Sequence, residues 1–184
     1  MRTRPMALVV PVALACAAAL PAAGQGTPEE VVERYYSSFR SGDFAASAAL
    51  MDPEALEELR STVARMVALT APPAEQLQQS FGVSSAAELE AIAPRALYER
   101  MLGATLGTDE ARQLLETAEV RVLGHVLEGP EHAHVVYRMR MGMGEVQLDQ
   151  VQVAPVRRTA EGWRVMLAGS LAGMMQGLQA APPP

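Results

Sequence analysis

His125, His132 and His134 are the three histidines of the chain. His132 and His134 stand two apart in a run of alternating residues, so both project from one side of a strand, a geometry that some metal sites use. The spacing supplies no third ligand, and His132 adjoins a Gly-Pro-Glu turn, so we expect a solvated strand end there and no metal. His125 shares its strand face with Leu123 and Leu127 and is expected in the core or in a pocket wall. Among the carboxylates, Asp52 precedes Pro53 and reads as a helix cap. Asp149 turns inward if the strand carrying it is bulged, which makes it the best carboxylate candidate for moving a proton. The four tyrosines are Tyr35, Tyr36, Tyr98 and Tyr137, and Tyr35 reads as core. Nucleophilic catalysis has little to stand on: no Gly-x-Ser-x-Gly elbow occurs, and the serines sit where caps and turns need them. Met139, Met141, Met143, Met174 and Met175 suit core filling or an adaptable apolar surface.

These groups depend on two kinds of scaffold. Thr27-Pro28-Glu29-Glu30 is a helix start with a capping box, followed by an apolar stripe of Val31, Val32, Tyr35, Tyr36 and Phe39 that ends at Ser41-Gly42-Asp43. A short helix is expected from Phe44 to Leu50. Asp52-Pro53-Glu54 opens a longer one, with Leu56, Leu59, Val63, Met66 and Leu69 three or four apart. Between Glu75 and Gly107 the pattern predicts two short helices separated near Pro94, with Ser85 to Glu88 as a cap, and Thr108-Asp109-Glu110 starts another. From Ala118 the period changes to two. Val120, Val122 and Val126 alternate with Arg121, Leu123, His125 and Leu127; after Gly129-Pro130-Glu131, Ala133, Val135, Tyr137, Met139 and Met141 alternate with His134, Val136, Arg138 and Arg140. A third run changes its apolar phase between Leu148 and Val151, which suggests a bulge near Asp149-Gln150. Pro155 is expected to end that strand or place it at an edge. Trp163, Val165 and Leu167 form a last strand after the turn at Ala160-Glu161-Gly162. Helices first and antiparallel strands afterwards give an α+β domain.

With 184 residues, 49% hydrophobic and 20% charged, the chain is long and apolar enough for one ordinary core. Arg2 and Arg4, the apolar run from Met6 to Leu20 and the small residues Ala22-Ala23-Gly24 match a secretory signal over residues 1–24, which predicts an exported protein, periplasmic or extracellular. Cys16 is the single cysteine. It reads as part of the signal, the alternative being lipid attachment at Ala13-Leu14-Ala15-Cys16, which would tie the protein to a membrane. The net charge of -6 repels phosphate backbones and argues against a nucleic-acid partner. All fifteen basic residues are arginines, so a Schiff-base lysine and a phosphate-loop lysine are excluded, and no cofactor motif is present.

The run Pro28-Glu29-Glu30-Val31-Val32-Glu33-Arg34-Tyr35-Tyr36, then Ser41-Gly42-Asp43-Phe44 and Leu50-Met51-Asp52-Pro53, resembles the opening of proteins similar to nuclear transport factor 2, a group that includes ketosteroid isomerase and polyketide cyclases. Glu161-Gly162-Trp163-Arg164-Val165 resembles the group's last strand. The resemblance implies a cone-shaped domain over residues 25–184, in which a curved antiparallel sheet of about four strands wraps around the N-terminal helices and often encloses a pocket. Residues 71–107 depart from the pattern and read as a helical insertion, with 169–184 as a flexible tail. The first functional reading is a non-enzymatic domain that binds a small apolar ligand or a protein partner. In the group's isomerases a buried carboxylate moves a proton while a tyrosine holds the oxyanion; the alternative is therefore an isomerase or cyclase with Asp149 or His125 as base and Tyr137 as oxyanion donor. A further alternative is an envelope structural protein that forms a homodimer through the open sheet face.

Overall fold

The computed structural model describes residues 26–143 and 146–167. The expected signal segment (residues 1–24), Cys16, Met174, Met175 and the expected tail (169–184) all lie outside the described residues. Helices come first, α1 (Pro28–Arg40), α2 (Phe44–Ala49), α3 (Pro53–Thr70), α4 (Ala74–Phe81), α5 (Ala86–Ala91), α6 (Pro94–Leu106) and α7 (Asp109–Glu116). The strands β1 (Glu119–Glu128), β2 (His132–Met143), β3 (Val146–Thr159) and β4 (Gly162–Val165) follow. They form one open antiparallel sheet in the order β1-β2-β3-β4. The chain is thus α+β.

Helix starts follow the caps. Thr27 Oγ1 accepts from the Glu30 N–H, and Glu30 returns the bond to the Thr27 N–H, which satisfies two otherwise unpaired donors at the start of α1. Asp52 caps α3 by accepting from the N–H groups of Glu54 and Ala55. Between Glu75 and Gly107 there are three helices, not the two that the pattern predicts. The additional one, α4, follows Pro73 and has no side-chain cap, so its start leaves no local mark. Residues 71–107 are built into the core: Leu89 and Leu97 are fully buried, and α6 packs against both α2 and α3.

The sheet buries Ala133, Val135 and Tyr137 of β2 and Ala154 and Val156 of β3 on the face towards the helices. Two expectations about its regularity need correcting. The β2–β3 register runs without interruption from His132↔Arg157 to Met143↔Val146, so there is no bulge at Asp149-Gln150. The apparent change of phase arises because Val151 and Val153 stand on the outer face, 55% and 49% exposed, where a purely apolar pattern counts them as buried. The irregularity is instead in β1, between Val122 and Gly124. Gly124 has a φ of 145°, a conformation that L side chains rarely adopt and glycine tolerates. Past this point the faces exchange: His125 and Leu127 lie opposite the inward Val135 and Ala133, and Val126 goes to the outside, 63% exposed.

Pro155 does not end its strand, and β3 is not an edge. The Arg158 N–H donates to Glu131 O; by the antiparallel alternation the nitrogen of Pro155 therefore faces the β4 side. There β4 has already ended at Val165, and the Met166 N–H donates to Pro155 O. The missing donor of proline falls where no strand partner asks for it. The far side of β4 is closed by the link between α2 and α3, since the Asp52 N–H donates to Val165 O at 2.8 Å and the Val165 N–H to Leu50 O at 2.9 Å.

Candidate functional site

Along α1, Glu33, Tyr36, Ser37 and Arg40 recur three or four residues apart and so form one stripe on the helix. This stripe faces a cavity of about 510 Å³ whose other walls come from β1 (Val120, Arg121, Val122), from β2 (Met139, Met141), from Leu106 at the end of α6 and from Leu115 of α7. No residue of α7 is buried and no residue of β1 reaches full burial, so these elements leave the space between them and α1 unfilled. The lining is mainly aliphatic and thioether, with Tyr36 and Phe39 contributing rings and Arg40, Glu33 and Ser37 the polar groups, while Arg121, opposite Arg138 in the register, directs its side chain to the outer face of the sheet.

A second, smaller cavity of about 170 Å³ adjoins it, and Tyr36 lines both. Its wall contains all four tyrosines of the chain together with Met51, Ala154 and Val165. The phenols are paired. Tyr35 and Tyr98 hydroxyl oxygens are 2.5 Å apart, and the Tyr36 hydroxyl is hydrogen-bonded to that of Tyr137. Tyr137 in turn donates to Gln152 Oε1 at 2.9 Å, and Gln152 Nε2 donates to Gln150 Oε1 at 3.2 Å. Since the Tyr137 proton is used on Gln152, Tyr36 donates to Tyr137, and the bonds run in one direction from the larger cavity along the sheet. Burial pushes all four phenols above their ordinary range, most strongly Tyr35 and Tyr36. They are therefore neutral hydrogen-bonding groups at any ordinary pH.

The groups named from the sequence as candidates for proton transfer are held apart. Asp149 lies on the outer face of the sheet between Arg140, with Nε at 3.1 Å, and Arg138, with Nε at 3.5 Å, its side chain 49% exposed. His125 pairs through Nδ1 with Glu29 of α1. Burial raises the Glu29 carboxyl, but the hydrogen bond and charge of His125 together with hydrogen bonds from the backbone and Thr27 hold the group below its usual value. Tyr137 is on the inner face, as its alternation with Ala133 and Val135 predicts, but neither Asp149 nor His125 is among its hydrogen-bond partners. His134 bonds Glu128 Oε2 at 2.6 Å near the hairpin end. Among the described residues, no group of three His, Cys, Asp or Glu side chains is placed to hold a metal ion, and no helix is long and apolar enough to cross a membrane.

Spacing alone missed the phenol pairs, the role of Gln152 and the stripe from Glu33 to Arg40 as a cavity wall. The inward phase of Tyr137 and the helical spacing of Tyr36 were the available signals, but nothing local says which wall each would meet. No protein-family model, curated protein or solved structure matches the chain.

Proposed function

We propose that the protein is a binding module that takes up a small apolar molecule between α1 and the β1–β2 end of the sheet. The observation that carries this reading is the cavity of about 510 Å³ lined by Phe39, Leu106, Leu115, Val120, Val122 and Met139. It falls within the roughly 300–1,000 Å³ range of small-molecule sites and has their usual make-up, an apolar surface with a few convergent polar groups. The phenols beside it are neutral and mutually bonded, which suits orientation of a ligand more than proton transfer. We also infer the cone-shaped arrangement of proteins similar to nuclear transport factor 2. Its supports are the sequence motifs at the two ends of residues 25–184 and the packing of α1 on the sheet. Export rests on the N-terminal pattern of residues 1–24.

Leu115→Trp tests the binding reading. Leu115 lies on a helix without buried residues, so a larger side chain there takes up cavity volume with little strain on the core. Nile red, a neutral apolar dye, is expected to bind the wild-type protein with a rise in fluorescence and to bind the variant at least about tenfold more weakly, with an unchanged far-ultraviolet circular dichroism spectrum. Equal binding by both proteins, or none by the wild type, would overturn the reading.

A further inference from the structure

The small tyrosine cavity has one proton too many. Its wall carries all four phenols of the chain, and so four hydroxyl protons. Tyr36 gives its proton to Tyr137, and Tyr137 gives its own to Gln152. In the pair of Tyr35 and Tyr98 one proton lies between two oxygens 2.5 Å apart. The other has no acceptor among the described residues, although each of these tyrosines is only 8% exposed. A buried donor without an acceptor is costly, because it has given up its bond to water and gained nothing in return. The cavity of about 170 Å³ therefore contains one hydroxyl that needs an acceptor and, on the oxygen of Tyr36, a lone pair that can take a proton.

We propose that this cavity holds the neutral hydroxyl group of an aliphatic alcohol whose chain extends into the larger cavity. The inference rests on the binding reading above and adds the class of ligand and the place of its head. A hydroxyl both accepts and donates, so it takes the spare proton of the Tyr35–Tyr98 pair and returns one to Tyr36. An ether makes only the first of these bonds. Met51, Ala154, Val165 and Leu167 help to complete the wall, and among the described residues no arginine, carboxylate or histidine lines it. A carboxylate or ammonium head would lose its hydration there without meeting an opposite charge. The larger cavity adds no net charge, since Arg40 and Glu33 on its wall offset each other. Tyr36 lines both spaces and marks the way from one to the other, with Phe39, Val120, Val122 and Met139 beside the chain.

The test is displacement of Nile red from the whole protein by decanol, decyl methyl ether, decanoate and decyltrimethylammonium, repeated with Tyr36→Phe and with the double variant Tyr35→Phe/Tyr98→Phe. The wild type is expected to bind decanol about fivefold more tightly than the ether, the worth of one further hydrogen bond, and at least about tenfold more tightly than either ion. Tyr36→Phe removes the acceptor, so the advantage over the ether disappears. The double variant removes both partners of one bond together with the spare proton, which leaves neither of them unpaired, and decanol and the ether both weaken about fivefold. Equal binding of decanol and the ether by the wild type would show that water meets the spare proton, and tighter binding of either ion that the head is charged. Each of these results overturns the inference and leaves the binding reading intact, and neither needs a variant to fold. An advantage of decanol that survives Tyr36→Phe would overturn the inference as well. Failure of the wild type to bind Nile red at all would remove both.

Discussion

The two ends of the sheet are built to different standards. At the β4 end the segment from Leu50 to Asp52 adds a short parallel bridge at Met51↔Val165, and Leu50, Met51, Val156, Trp163 and Val165 are all buried. Asp52, 1% exposed, receives Arg157 Nε and Nη2 at 2.8 Å each while also capping α3. Arg157, bonded to Glu54 and Asp52, is held above the usual arginine range. At the β1 end nothing comparable exists: α7 contributes no buried residue and the large cavity occupies the space. One end is closed by packing and hydrogen bonds, and the other leaves an open cavity. The tyrosines stand at the border, with Tyr35 and Tyr98 packed and Tyr36 reaching into the open side.

The sharpest way to break this contrast is Asp52→Ala. It removes a helix cap and leaves the partly buried Arg157 with Glu54 alone, so a loss of about 3 kcal/mol in urea unfolding is expected; a loss within about 0.5 kcal/mol would show that the closed end is not where stability resides. Truncating one valine at each end compares them directly. Val156→Ala, at a fully buried site, should cost about 2 kcal/mol, and Val120→Ala, on the cavity wall, less than about 1 kcal/mol, because water and open space already adjoin it. Equal costs would mean that the two ends are packed alike.

The border itself is read by alkaline titration. The folded phenols are raised above their ordinary value of about 10, so from that pH upward the unfolded chain loses protons that the folded one retains. More protons bound to the native state means that stability falls with rising pH, by about 1 kcal/mol for Tyr35 over the first unit above 10. Tyrosinate absorbance near pH 11 should be largely absent in the native protein and appear on unfolding. Ordinary ionisation of the native phenols would show that they are solvated.

Much of the molecule was written locally. The capping residues Thr27, Asp52 and Thr108 mark their helices, and the alternation from Ala133 to Met141 gives β2 with its faces in the right sense, because a cap acts over three residues and a strand over two. Where the pattern misled, the assumption that apolar means buried was at fault: Val151 and Val153 are exposed and imitate a bulge, while the real irregularity at Gly124 sends Val126 outward and His125 towards α1. For the candidate site the sequence specified an inward Tyr137 and little more.

The helices apart from α4, the strands, their order along the chain and the acidic charge were settled by the residues themselves, since each follows from interactions between near neighbours or from composition. Only tertiary structure decided that Tyr36 meets Tyr137 across 101 residues, that Tyr35 meets Tyr98 across 63 and that Arg157 meets Asp52 across 105. It alone left a cavity behind α1. Such contacts depend on how whole elements pack, and a void is the space that packing fails to fill, so neither leaves a mark in any short stretch of chain.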